Sequence, residues 1–224
     1  MDEVSNHAIA MLMALAKKLP VVTKALRSGE WGYTRTIPLF RMAGSTLGLI
    51  GLGRIPSLVA QKMSGFGLGR ILAFDPFLSP EQAEKRGAEL VDFETLCKES
   101  DFISIHCPLT KETTGLFNEK VFRTMKKTAY LINTSRGPVI CEKDLVHALK
   151  SGEIAGAGLD VYETEPVAPD SELLKMDNVI ATPHCAWYSE EAISTLQRKV
   201  AEEVVNVLKG NPPFNCTNKA ALGR

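Results

Sequence analysis

The sequence predicts an α/β fold, a doubly wound parallel sheet with helices on both faces, and three observations carry that reading. Short apolar runs alternate with helix-like stretches along most of the chain. One of those runs leads into a glycine turn, and several others end in polar or charged residues. Runs that are apolar throughout mark strands buried on both faces, which is the condition of a parallel sheet covered by helices. A length of 224 residues suits one large domain or one and a half, and a hydrophobic content of 45% is enough for a sizeable core.

Residues 4–18 carry Val4, Ala8, Met11, Leu12, Leu15 and Ala16 at helical spacing. Ile9 and Met13 occupy the other face, so this helix is expected to be buried on two sides and to end at Pro20. A second short helix is expected over 21–28, closed by Gly29, and the stretch from Trp31 to Arg41 reads as irregular. Strands are expected at 46–50, 71–75, 102–106, 129–133, 155–160 and 178–182, with a shorter one at 89–91. Helical stretches near 54–65, 80–87, 93–99, 118–125 and 142–151 separate most of them. Residues 189–209 form a long amphipathic helix, stopped by Gly210-Asn211-Pro212-Pro213. The expected division is 1–188 for the sheet domain and 189–224 for a C-terminal helix and tail.

The glycine turn is the most specific of these features. Leu47-Gly48-Leu49-Ile50 leads into Gly51-Leu52-Gly53-Arg54-Ile55-Pro56, and Asp75 ends the next apolar run. Strand, glycine turn, helix, strand and acid form the layout of a Rossmann dinucleotide site. Gly51 allows the tight turn, Gly53 admits the pyrophosphate, and the amides of Arg54 and Ile55 point at it from a helix N-terminus. Asp75 is placed to accept hydrogen bonds from both ribose hydroxyls, and its charge repels a 2′-phosphate. The cofactor expected on these grounds is NAD(H) and not NADP(H). Pro56 stands where the pattern has its third glycine. Proline is tolerated in the first turn of a helix.

Composition narrows the partners. Lys+Arg and Asp+Glu are 26 each, so there is no electrostatic reason to expect nucleic acid or an anionic membrane surface. Five scattered cysteines without a C-x-x-C pair read as reduced thiols of a cytoplasmic protein and provide neither a disulfide framework nor a metal site. Asp2 and Glu3 at the N-terminus argue against a signal peptide, and no apolar run reaches membrane-spanning length.

The strand ends carry the candidate chemistry: His106-Cys107-Pro108, Asn133-Thr134-Ser135-Arg136-Gly137, Asp160 and Thr182-Pro183-His184. His184 suits proton transfer to or from a carbonyl oxygen. Glu165 could hold the other ring nitrogen of His184, although Glu163 competes for that role. Arg136 offers a planar fork to a carboxylate, and Asp160 could bind the carboxamide of a nicotinamide. Each is also compatible with an ordinary loop or surface position, and spacing alone does not bring them together.

Asn133-Thr-Ser-Arg-Gly-Pro, Gly156-Ala-Gly-Leu-Asp-Val-Tyr-Glu-Thr-Glu-Pro, Thr182-Pro-His and His106-Cys-Pro-Leu-Thr-Lys-Glu-Thr resemble, in order, the signatures of the D-isomer-specific 2-hydroxyacid dehydrogenases. The resemblance covers nearly the whole chain. It implies NAD-linked interconversion of a 2-hydroxy acid and a 2-oxo acid, with Arg136 binding substrate, Glu165 partnering the histidine and His184 as acid/base. It also implies cofactor contacts at Gly51, Gly53, Arg54, Ile55, Asp75, Cys107, Pro108, Thr113, Thr134, Ser135, Arg136, Asp160, His184 and Trp187. A homodimer through the cofactor domain is implied, with the first helix and the Trp31 region as its contacts. The stretch from Thr182 to Glu191, with Trp187 three residues after His184, resembles the branch that includes the C-terminal-binding-protein corepressors. That branch suggests an alternative, a dimeric NAD(H)-sensing binding protein. Family members carry a further substrate-domain segment ahead of the point where this chain starts. The expectation is therefore a cofactor domain with a C-terminal remnant of the second domain, binding NAD better than it turns over.

Overall fold

The strands are β1 (Thr46–Ile50), β2 (Arg70–Phe74), β3 (Glu89–Leu90), β4 (Phe102–Ile105), β5 (Tyr130–Asn133), β6 (Gly156–Leu159) and β7 (Val179–Ala181). In this computed structural model, which describes residues 1–216 and 218, they form one sheet in the order β3-β2-β1-β4-β5-β6-β7. Every neighbouring pair is parallel, with Ile50 opposite Phe74 on one side and Ile105 on the other. From β1 the chain first winds outward through β2 and β3, then returns to place β4 on the opposite side. The ends of β1 and β4 therefore flank the crevice where such sheets take ligands.

The helices are α1 (Asp2–Ala16), α2 (Leu19–Arg27), α3 (Arg54–Met63), α4 (Pro80–Glu84), α5 (Phe93–Glu99), α6 (Glu119–Thr124), α7 (Glu142–Ser151) and α8 (Glu190–Leu208). Two apolar cores cover the two faces of the sheet. Met11 and Leu12 of α1, Val59, Ala60 and Met63 of α3 and Ala83 of α4 pack on Leu47, Leu49, Ala73 and Ile132. Leu96 of α5, Phe122 of α6 and Leu145 and Leu149 of α7 pack on Ile50, Ile103, Leu131 and Leu159. Both faces are covered by apolar side chains, which explains why the strands read as mainly apolar runs.

Local chemistry sets the helix starts. Ser79 and Gln82 form a reciprocal capping box at α4, and Asp92 and Asn118 cap α5 and α6. Pro20 does not end the first helix as expected. That helix stops at Ala16, and Pro20 lies in the first turn of α2, where its missing N–H is not needed. The irregular stretch from Trp31 to Arg41 contains one short 3-10 turn, Thr34–Thr36.

The chain divides into two compact units, Met1–Ala186 and the residues from Trp187 onward. The second unit opens with Trp187 edge-on to Tyr188, their rings 5.8 Å apart. It continues into α8, whose first turn is capped by the Ser189 hydroxyl. Part of the expected C-terminal tail, residues 217 and 219–224, lies outside the described residues. Among the described residues no helix is long and apolar enough to cross a membrane.

Candidate active site

The glycine turn follows β1 directly. Gly51 has φ +83°, a conformation that costs a residue with a side chain. A Cβ on Gly51 would also stand 3.3 Å from the Cys107 nitrogen, so this glycine lets the ends of β1 and β4 close on each other. Gly53 is the N-cap of α3 and has an ordinary φ of −77°. It offers no side chain to cap the first amides of α3, and the space where its Cβ would stand is open. Arg54 and Ile55 are the first two residues of that helix, so their N–H groups have no partner within it. Pro56 is buried in its first turn.

The open space predicts a clean separation of effects. Gly53→Ala is expected to leave the melting temperature near wild type, since neither backbone nor packing objects to the methyl group. It is expected to weaken NADH binding by about tenfold or more, a loss of about 1.4 kcal/mol. Calorimetry and fluorescence titration on the same sample check both halves.

Asp75 follows β2 and is part-exposed. Its two carboxylate oxygens accept from the N–H groups of Leu52 (2.9 Å) and Phe77 (3.0 Å). The carboxylate is thus fixed against the glycine turn, with lone pairs to spare for hydroxyl donors.

Beyond β4, burial pushes the Cys107 thiol up to about 11 and the His106 imidazole down to about 4. His106 keeps some accessible surface, but the protein around its ring denies an imidazolium its hydration, and Nε2 lies 2.9 Å from the Ser104 hydroxyl. A histidine neutral in the fold and titrating normally when unfolded stabilises the chain above its ordinary value of 6.5. That stability is lost as pH falls toward the folded value of about 4. Allowing for part exposure, the loss is expected to reach about 2 kcal/mol. Urea midpoints at the two ends of that window check it, with His106→Gln expected to flatten the dependence. Pro108 and Thr113 build the loop that follows. The Thr113 hydroxyl donates to the Pro108 carbonyl (2.7 Å) and accepts from the Thr110 N–H (2.8 Å). Its contacts are therefore within the loop.

The β5 end carries Asn133-Thr134-Ser135-Arg136. Buried Asn133 organises it, accepting from the N–H and hydroxyl of Ser135 and donating to the Arg136 carbonyl. The exposed Arg136 side chain donates back to the Ser135 carbonyl at 2.7 Å. The Thr134 hydroxyl is buried and without a hydrogen-bond partner, an arrangement that calls for a ligand group or water. Gly137 comes next and has no room for a side chain. A Cβ there would lie 1.8 Å from the Tyr162 carbonyl oxygen. That contact presses the arginine loop onto the loop that carries Glu165.

Glu165, and not Glu163, meets His184: Oε2 lies 2.7 Å from Nδ1. The other Glu165 oxygen accepts from the Tyr162 N–H at 3.0 Å. Desolvation works to raise this carboxyl. Hydrogen bonds from His184 and the Tyr162 N–H, with the His184 charge, prevail and hold it below its ordinary value. Glu163 is turned away and accepts from the Glu142 N–H.

His184 itself sits at φ +55°. Such a backbone costs about 1 kcal/mol and persists where the surroundings hold it. Asp160 holds it. Its carboxylate is 1% exposed and accepts from the Thr182 hydroxyl (2.5 Å) and from the N–H groups of Cys185 and Ala186 (2.9 Å each). All three donors belong to the turn around His184, and the acid lies beneath it. Trp187 belongs to the second unit.

The sequence reading passed over His7 and Tyr162. His7 reaches from α1 to put Nε2 3.0 Å from the Thr182 hydroxyl and 3.8 Å from Asp160. The Tyr162 hydroxyl donates to the Thr182 carbonyl. Only the second lies within a motif, and nothing local links residue 7 to residue 182.

The arrangement offers a dinucleotide cradle at β1 and β2, an unsatisfied hydroxyl and an arginine at β5, and a carboxylate–imidazole pair beyond β6 and β7. The residues present fit NAD. Comparison with known proteins agrees. The profile of the D-isomer specific 2-hydroxyacid dehydrogenase, NAD binding domain, matches residues 9–186. A D-3-phosphoglycerate dehydrogenase of Archaeoglobus fulgidus is 42% identical over 218 residues, covering 97% of this chain and 41% of that protein. A glyoxylate reductase of Thermococcus litoralis is 44% identical, covering 99% of this chain and 68% of the reductase. The crystal structure of a Lactobacillus jensenii D-lactate dehydrogenase with NAD+ superposes with a TM-score of 0.87 at 29% identity, covering 96% of this chain and 68% of that one. The chain therefore spans between about two fifths and about two thirds of the length of these relatives.

Proposed function

The chain belongs to the D-isomer specific 2-hydroxyacid dehydrogenases and carries their NAD-binding domain, and from that premise we propose that it takes part in the interconversion of a D-2-hydroxy acid and a 2-oxo acid. The observation that carries the proposal is the Glu165–His184 pair at 2.7 Å, with the Arg136 loop locked against the Glu165 loop through Gly137.

NAD(H), when bound, would supply or accept the hydride. Gly51, Gly53, Arg54 and Ile55 would receive its pyrophosphate and Asp75 its adenosine ribose, with Cys107, Pro108, Thr113, Thr134 and Ser135 as its further contacts. Arg136 holds the substrate carboxylate in its planar fork and so fixes the carbonyl. His184 gives a proton to the carbonyl oxygen in reduction and removes it in oxidation. Glu165 fixes the imidazole tautomer through Nδ1, so that Nε2 meets the substrate. Asp160 is a positioning residue that keeps the His184 turn in its left-handed conformation.

Residues 1–188 serve as the cofactor domain in this proposal, and 189–224 as a return into a substrate domain. A homodimer is supported by the stretch after α2, where Trp31 is 91%, Tyr33 75% and Phe40 61% exposed. Large aromatic surface of this kind marks an interaction site. Free thiols fit a cytoplasmic setting. The finer placement, in the corepressor-like branch, rests on the stretch from Thr182 to Glu191 with its Trp187 and on the terminal Asn215-Cys-Thr-Asn-Lys, and the relatives above are oxidoreductases by name. A purely NAD(H)-sensing protein has no need of Arg136, Glu165 and His184 together.

The test is NADH oxidation against a panel of 2-oxo acids, from glyoxylate upward in side-chain size. Reduction of at least one, lost in Arg136→Ala with NADH binding retained, is the expected result. Reduction of none, with NADH shifting the oligomeric state, would transfer support to the binding alternative.

A further inference from the structure

Beneath the His184 turn, three side chains from distant parts of the first unit meet. Among the described residues, His7, Asp160 and Cys185 are the one group of three metal-binding side chains whose ligand atoms all lie within 4.8 Å of one another. Nε2 of His7 stands 3.8 Å from an Asp160 oxygen. An imidazole nitrogen, a carboxylate oxygen and a thiolate sulfur form a donor set suited to zinc, which holds such atoms at about 2.0–2.3 Å in a tetrahedral arrangement. Those lengths put neighbouring donor atoms about 3.4–3.6 Å apart. The widest separation here has to close by roughly an ångström, and a turn of the part-exposed His7 and Cys185 side chains supplies that movement.

The surroundings of Asp160 favour a cation. Its carboxylate is buried, and among the described residues its one ion-pair partner is His7, which is charged only when protonated. A buried carboxylate is stabilised by a cation brought against it. The N–H groups of Cys185 and Ala186 hold one oxygen each. Backbone bonds of this kind orient a metal-ligating carboxylate from behind. The Thr182 hydroxyl lies between His7 (3.0 Å) and Asp160 (2.5 Å), where it or a water would take the fourth position. His7 offers a lone pair at Nε2 when its proton is on Nδ1, which a neutral imidazole allows. Cys185 releases its thiol proton to water as the metal binds.

We propose that His7, Asp160 and Cys185 bind Zn²⁺ beneath the His184 turn. The proposal replaces the expectation that the cysteines provide no metal site. Residues 7, 160 and 185 share no spacing that a motif would reveal, and only the fold brings them together. The proposal does not depend on the dinucleotide reading, and its test uses neither NADH nor a 2-oxo acid.

The experiment titrates the whole chain, reduced and freed of metal by a chelator, with Co²⁺ as a spectroscopic substitute, and then displaces the cobalt with Zn²⁺. Saturation at one equivalent is expected, with sulfur-to-cobalt charge-transfer absorption that Zn²⁺ abolishes. Zn²⁺ is also expected to raise the melting temperature. Cys185→Ser is expected to lose the charge-transfer band. His7→Gln, which keeps a donor toward Thr182, is expected to weaken Zn²⁺ binding by about tenfold or more. Cys141→Ser is expected to keep the band, and circular dichroism checks that each variant folds. A wild type without the band, a band that survives in Cys185→Ser, or unchanged Zn²⁺ affinity in His7→Gln would overturn the proposal. Should Cys185→Ser fail to fold, the His7→Gln affinity decides.

Discussion

Gly137→Ala is expected to destabilise the fold by about 3 kcal/mol, the upper end of what an added methyl group costs in packed surroundings. The methyl carbon would coincide with the Tyr162 carbonyl, 1.8 Å from its oxygen and 1.9 Å from its carbon. Both atoms are backbone, so no rotamer change relieves the clash, and the two loops must part. For a chain of this size the melting temperature should fall by about 6–12 °C, readable by circular dichroism. Parting the loops also moves Arg136 away from Glu165 and its partner His184, so substrate-dependent turnover should suffer beyond the loss of stability. An unchanged melting temperature would mean that the loops do not touch as described. Gly53→Ala provides the contrast, because its methyl group meets nothing.

His184→Gln is expected to lower turnover of a 2-oxo acid by about 10²–10⁴-fold, the usual share of general acid–base catalysis. Glutamine has nearly the reach of histidine and can donate to Glu165, but it cannot carry the proton. The Glu165 contact and the Asp160-held turn should persist, so NADH affinity should fall far less than turnover. A variant that retained turnover would remove His184 from the proton-transfer role.

Much of the fold is legible in the sequence because the forces that set it are local or periodic. Strands buried on both faces have to be mainly apolar, and β1, β2, β4 and β5 are, with Thr46, Arg70 and Asn133 at strand ends and Ser104 as the one interior polar residue. Gly51 is readable because a positive φ follows from the tight turn, and Asp75 because the next strand ends there. The site is less legible because it depends on contacts across the sheet. Glu163 and Glu165 are equivalent in spacing, and only the path of the loop shows that one accepts from the Glu142 N–H and the other meets His184. Asp160 looks like an exposed strand-end acid, but it is buried beneath three donors. His7 carries no motif, and its role comes from the folding of a distant segment onto Thr182. The Gly156-Ala-Gly158 run has a packing reason that only the structure reveals. A Cβ on Gly158 would lie 3.0 Å from that of Met11, so the glycine lets α1 lie flat on β6.

The central claim is that the turn from Gly51 to Asp75 is a working dinucleotide site. The most direct measurement is NADH binding to this chain by fluorescence titration, with Gly53→Ala run in parallel. Saturable binding by the wild type, weakened about tenfold or more in the variant at unchanged melting temperature, is the predicted result. A folded wild type that binds no NADH, or a variant that binds it equally well, would contradict the account.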